Sequence, residues 1–126
     1  MTPQDAAAQR YMTERVLTAS PAELTAMLFD ACVGALKLAA RLQESGDHVR
    51  AGQRLLKVQD IVLELRSTLN KDAGELADRL DALYTFAWRR LLDASVQRKS
   101  KPAREALDVV DPIRTAWREA CVLVAV

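Results

Sequence analysis

The sequence predicts an all-α protein folded as an antiparallel up-down four-helix bundle, and three observations carry the prediction. Only four glycines and four prolines occur in 126 residues, and long stretches lack both. Apolar residues recur at spacings of three and four through four long segments, the signature of helices that bury one face. The breaks between these segments are short and polar, so successive helices should be antiparallel neighbours.

The first long helix is expected over about 21–45. Ser20 can accept a hydrogen bond from the first free N–H groups, Pro21 suits the first helical position, and Glu23 stands three after the cap. Its apolar positions are Leu24, Met27, Leu28, Ala31, Ala35, Leu38, Ala39 and Leu42, and Ser45-Gly46-Asp47 ends it. The second helix is expected over about 48–69. Asp72 with Glu75 makes another capping box for a third helix over 73–96, whose stripe reads Leu76, Leu80, Leu83, Ala87, Leu91 and Ala94. Gln97-Arg98-Lys99-Ser100-Lys101 is a polar turn, and Pro102 opens a fourth helix over 102–124. Pro112 lies inside it without an N–H to donate, so a kink or a late effective start is expected. The whole chain, 1–126, reads as one domain. Residues 1–17 form a short helical or extended N-terminal segment in which Tyr11, Met12, Val16 and Leu17 suggest contact with something apolar.

The second helix carries more apolar surface than one bundle position needs. Leu55, Val58, Val62, Leu65 and Leu69 make a coiled-coil-like seam. Val49, Leu56 and Leu63 form a second line, roughly 140° round the helix from the first. Ile61 sits on the opposite flank, and on the third helix Tyr84, Trp88 and Leu92 drift to one side of the stripe while Phe86 falls on the other. Either a middle helix needs a wide apolar face for two neighbours, or these lines border a groove for an apolar partner segment. The uncharged end Cys121-Val122-Leu123-Val124-Ala125-Val126 adds to the surplus and suggests packing against the bundle or a partner.

Composition narrows the function classes. With 18 basic against 17 acidic residues there is no overall positive field of the kind nucleic-acid binding favours. No apolar run reaches the roughly 20 residues of a membrane span, and no signal peptide opens the chain, so a cytoplasmic protein is expected. Cys32 and Cys121 read as small buried apolar residues in a reducing compartment. His48 is the single histidine, which excludes the paired Glu-x-x-His motifs of a di-iron bundle. It starts a helix beside a turn, whereas phosphotransfer needs a histidine on an open mid-helix face, so it reads as a solvated loop residue. Arg89-Arg90 reads as a solvated pair bonded to Asp93 or neighbouring acids. Catalytic, metal and cofactor sites are all expected to be absent.

Several collinear segments resemble the FliS flagellin export chaperones. Tyr11, Arg15-Val16-Leu17-Thr18-Ala19-Ser20-Pro21-Ala22-Glu23-Leu24 and Met27-Leu28-Phe29-Asp30 resemble that family's N-terminal signature. Lys57-Val58-Gln59-Asp60-Ile61-Val62-Leu63-Glu64-Leu65 with Ser67-Thr68-Leu69-Asn70 is similar to its second helix. Gly74-Glu75-Leu76-Ala77, Leu80, Leu83-Tyr84 and Arg89-Arg90-Leu91 resemble the third, and Arg114-Thr115-Ala116-Trp117 the last. Ala31-Cys32, the single Gly74 and Pro112 depart from the pattern.

The resemblance implies a cytoplasmic bundle that binds the disordered C-terminal segment of newly made flagellin. It further implies that the bundle prevents early polymerisation and presents flagellin to the flagellar type III export gate. By position, Tyr11, Val16 and Leu17 match the segment that can lie over the client groove or contact partners, and here they can shield the groove. Val58, Ile61, Val62 and Leu65, then Leu83, Tyr84, Leu107 and Trp117, match apolar positions of the later helices. Joined to the second line and its neighbours, the expected client and partner residues are Tyr11, Val16, Leu17, Val49, Leu56, Ile61, Leu63, Tyr84, Trp88, Leu107 and Trp117. The competing readings are a homo-oligomer held by the spare stripes and, behind it, phosphotransfer at His48.

Overall fold

The computed structural model describes residues 2–125, with side chains through Cys121. Among them are α1 (Pro3–Thr18), α2 (Pro21–Glu44), α3 (His48–Ser67), a 3₁₀ turn (Lys71–Ala73), α4 (Glu75–Gln97) and α5 (Ser100–Ala125). The bundle consists of α2 to α5: α2 packs against α3 and α5, and α4 against the same two, closing a ring. Pairs between helices show the antiparallel register. Arg104, early in α5, holds Glu44 at the end of α2 (2.8 Å), and Arg66, late in α3, holds Asp81 early in α4.

The helix starts follow local capping chemistry. Ser20 Oγ accepts from the Glu23 N–H at 3.2 Å with Pro21 behind it, which is one arm of the expected capping box. The complete box stands at the N-terminus instead. The Thr2 hydroxyl accepts from the Asp5 N–H (3.1 Å) and the Thr2 N–H donates to the Asp5 carboxylate (3.0 Å). That backbone donation, followed by hydrogen bonding of the Thr2 side chain to the same carboxylate, lowers the Asp5 pKa. Thr2-Pro3 therefore starts a 16-residue helix where a short segment was expected. No residue of α1 is buried, so the expected contact of Tyr11 to Leu17 with an apolar surface is not made.

The box expected at Asp72 and Glu75 does not form. Asn70 Oδ1 accepts from the Asp72 N–H at 3.0 Å, opening the 3₁₀ turn. Gly74 then takes φ +63°, a conformation free of steric cost only without a Cβ, and α4 begins at Glu75 rather than 73. At the other end, α4 stops at Arg98, a left-handed residue whose N–H returns to the Ala94 carbonyl. In α5 the helix starts at Ser100, two residues before Pro102, and runs through Pro112 as one element. The half beyond Pro112 is fastened to α2. Arg114 and Arg118 both bond Asp30, and the Trp117 indole N–H donates to the Ala22 carbonyl at 3.1 Å.

The core is a single cluster drawn from all four bundle helices. On α2 the buried stripe is Phe29, Cys32, Val33, Leu36, Ala39, Ala40, Leu42 and Gln43, rotated from the expected one. Leu24 and Ala31 are exposed, because Phe29 and Leu36, the bulkier choices, take the interior. On α4 the stripe is Ala77, Tyr84, Ala87, Leu91 and Ala94, and the expected Leu76 and Leu83 face solvent. Gln43 is the one buried polar residue on α2. Its Nε2 donates to the Ala94 carbonyl at 2.9 Å, tying α2 across to α4. Cys32 is buried as expected, whereas Cys121 is half-buried, its Sγ 4.0 Å from the Ala22 carbonyl. The expected packing of Val122–Val126 lies outside the described side chains.

Burial pushes the Cys32 thiol up to about 12, and burial, then the neighbouring thiol, pushes the Tyr84 hydroxyl up to about 12. In the unfolded chain the two ionise near 9.0 and 10.0. The fold therefore favours their neutral forms, and that stability is full below pH about 9 and fades as the pH rises to about 12. The melting temperature should hold between pH 7 and about 9 and fall above it. The gap between wild type and Cys32→Ala should narrow through the same window. A gap that stays constant from pH 8 to 11 contradicts this assignment.

Candidate interaction groove

The α3–α4 seam is the least extensively packed of the four in the ring. The Arg66–Asp81 ion pair fixes its register. Beside that pair, Leu63, Arg66, Ser67, Leu69, Lys71, Ala77, Asp78 and Asp81 enclose a cleft of about 730 Å³. A smaller cavity of about 110 Å³ follows along the seam, lined by Val62, Leu63, Arg66, Tyr84, Thr85 and Trp88. Leu63 belongs to both, which places its flank of α3 against α4.

Heptad steps from Leu63 lead to Leu56 and Val49, which share its flank with a drift of only ~20° per heptad. Leu63 is 46% exposed, Leu56 64% and Val49 77%. The expected spare line is thus a solvent-facing stripe, and the wide-core alternative for these residues does not hold. On α4, Trp88, Leu92 and Val96 step by four along the same seam, and Leu92 and Val96 are exposed. Each of the two helices displays exposed apolar side chains on the flank that reaches this seam at Leu63 and Trp88.

Of the expected site residues, Leu63 and Trp88 line one cavity here, and Leu56 and Val49 continue the exposed flank of Leu63 along α3. Ile61, Tyr84 and Leu107 are corrected to core positions, each within the buried cluster. Ile61 lies on the flank away from Leu63, and Tyr84 takes the central row of α4 that Leu83 was expected to hold. Trp117 is packed against the core as well, its ring centroid 6.1 Å from that of Phe29. Tyr11, Val16 and Leu17 are exposed on α1, with Arg15 stacked over the Tyr11 ring at 5.8 Å. His48 is half-buried rather than solvated, with its Nδ1 enclosed and unpaired. Arg90 bonds Asp93 as expected, and also reaches Glu105 at 3.6 Å. Leu92, read from the sequence as drifting with Trp88 but left out of the expected client set, is exposed, and Val96, four residues further on, extends the line that the sequence reading missed.

The stripe offers apolar contact, while the larger cleft beside Leu63 is also lined by the charged side chains of Arg66, Lys71, Asp78 and Asp81. Among the described residues, no three His, Cys, Asp or Glu side chains are grouped to hold a metal ion. No described helix is long and apolar enough to cross a membrane.

The family model for flagellar protein FliS matches residues 3–123. The chain belongs to the FliS family. It is 36% identical over 110 residues to the flagellar secretion chaperone FliS of Bacillus subtilis, covering 87% of this chain and 82% of that one. To the flagellar secretion chaperone FliS of Salmonella typhimurium it is 34% identical over 114 residues, covering 89% and 84%. A crystal structure of a bacterial flagellar chaperone matches with a TM-score of 0.72 at 25% identity, over 94% of this chain and 98% of that one. FliS is a family of chaperones and not of enzymes.

Side chains one position apart on α3 should behave oppositely. Leu55 is fully buried and Leu56 is exposed. Leu55→Ala should cost ~2–5 kcal/mol of stability, whereas Leu56→Asp or Leu63→Asp should stay within about 1 kcal/mol of wild type. Urea denaturation of the three variants reads the difference directly.

Proposed function

We propose that this flagellar secretion chaperone binds the disordered C-terminal segment of flagellin in the cytosol. By covering that segment it keeps flagellin from polymerising early, and it helps deliver it to the flagellar type III export gate. The observation that carries this reading is the exposed apolar stripe of Val49, Leu56 and Leu63 on α3, which meets the α3–α4 seam at Leu63. A client tail hides its apolar face only in the finished filament, and until then a groove of this kind can take it. Ordering the tail costs entropy, which keeps the complex weak enough to release. The apolar side chains of α1 form a second surface, free for a partner such as the gate, because none of them is buried.

Titration calorimetry with the C-terminal segment of flagellin should show roughly one-to-one binding, weakened by Leu56→Asp and Leu63→Asp without loss of fold. No heat with folded protein would sink the proposal. A homo-oligomer built through the same stripe is the second reading, favoured by the same exposed leucines, and requires a stable oligomer in light scattering at low concentration. Because α1 buries nothing, deletion of residues 1–17 should leave dye binding by the free protein unchanged. A marked rise would restore the shielding role expected from the sequence.

A further inference from the structure

A net charge of +1 hides a division of charge along the bundle axis. The half that carries the α2–α3 and α4–α5 turns spans residues 33–57 and 87–112, with eleven basic residues against six acidic. The other half, residues 20–32, 58–86 and 113–121, has five basic against nine acidic. In the basic half Glu44, Asp47, Asp93, Glu105 and Asp111 are all held in ion pairs. Eight of its eleven cations are in none among the described residues.

Four of these eight stand at the tip: Arg41 in the last turn of α2, Arg98 and Lys99 between α4 and α5, and Lys101 in the first turn of α5. All four are exposed, and none lines either cleft described above. The Gln43 bond to Ala94 and the Glu44–Arg104 pair hold these helix ends side by side. Arg98 takes φ +54°, a left-handed position that glycine would fill without strain. Two exposed apolar side chains lie at the same end, Val49 in the first turn of α3 and Val96, 82% exposed, in the last turn of α4.

We infer that this end of the bundle docks on an anionic lipid surface. Long cationic side chains without fixed partners suit headgroups that impose no fixed geometry, and each one near the surface adds attraction. The valines among them favour lipid over an acidic polypeptide, because the headgroup boundary takes charges and apolar groups together. Residues 37–57 and 89–112 contain no Phe, Tyr or Trp on which nucleic-acid bases would stack. The acidic half is repelled, so the bundle stands with its α2–α3 and α4–α5 turns on the bilayer. The cleft at Leu63, next to the α3–α4 turn, is then held away from the lipid. The 24 residues of α2 separate the ends by about 35 Å, well beyond a Debye length of about 8 Å at physiological salt. The inference is independent of what the groove binds.

Co-sedimentation of the whole chain with phosphatidylcholine vesicles, with and without phosphatidylglycerol, reads the docking. Binding should require phosphatidylglycerol and fade as salt rises towards about 0.5 M. Lys99→Glu with Lys101→Glu should weaken it about tenfold or more. Both positions are exposed and border the start of α5, where acidic residues are favourable, so the fold should be kept. Lys71→Glu with Arg79→Glu makes the same change of net charge at the other end and should leave binding unchanged. Arg98→Gly relieves the backbone, so it should melt no lower than wild type while binding about fivefold more weakly. Val96→Ser should weaken binding about threefold.

No binding of the folded protein to phosphatidylglycerol vesicles at low salt overturns the inference. Equal losses from the two double variants do so too, since net charge and not the tip would then decide. Tighter binding of polyglutamate or RNA than of vesicles, indifferent to Val96→Ser, assigns the tip to an acidic polypeptide or nucleic acid instead. Light scattering that rises with concentration and is abolished by Lys99→Glu with Lys101→Glu assigns it to the acidic end of a second copy.

Discussion

The bundle depends on how closely α2 can approach its neighbours at the end nearest the α2–α3 and α4–α5 turns. The buried positions there are dominated by alanine: Ala39 and Ala40 on α2, Ala51 on α3, Ala94 on α4, and Ala103 and Ala106 on α5, all with no exposed surface. With nothing beyond Cβ to keep them apart, the helices come together and the Gln43 amide can reach across to the Ala94 carbonyl. Towards the other end the interior is filled by larger groups, Phe29, Val58, Val62, Leu65, Tyr84 and Val110, with Leu80, Ile113 and Trp117 packed around them. Side-chain size therefore grades along the bundle axis, from a tight end to a bulky one.

This gradient explains where the groove lies. On the α2–α5 side, the bulky end is held closed by Asp30 with Arg114 and Arg118 and by Trp117 on the Ala22 carbonyl. Those ion pairs are partly exposed, and each adds little by itself. Together with the indole contact they fasten the half of α5 that Pro112 deprives of a backbone bond. The α3–α4 side has only the partly exposed Arg66–Asp81 pair at the corresponding level. Its seam stays loosely packed, and the cleft beside Leu63 is the result. The same architecture that closes one seam leaves its opposite open.

The four long helices and the Ser20 cap were legible in the sequence because glycine, proline and cap residues act locally, whereas the cap expected at Asp72 gives way to a 3₁₀ turn and Gly74. What tertiary packing decides was read less well. On α4, Leu76-Leu80-Leu83 and Ala77-Leu80-Tyr84 both run at helical spacing, and hydrophobicity favours the first. The structure chooses the second, since an alanine and a tyrosine fit the interior left by Phe29 and Leu65 better than two more leucines would. Ile61, Leu107 and Trp117 were drawn into the expected site for a related reason: their apolar character is the same whether they meet a core or a client. The spare line of Val49, Leu56 and Leu63 was legible because α3 already has a complete core seam in Leu55, Val58, Val62 and Leu65, so a second line had nowhere inside to go.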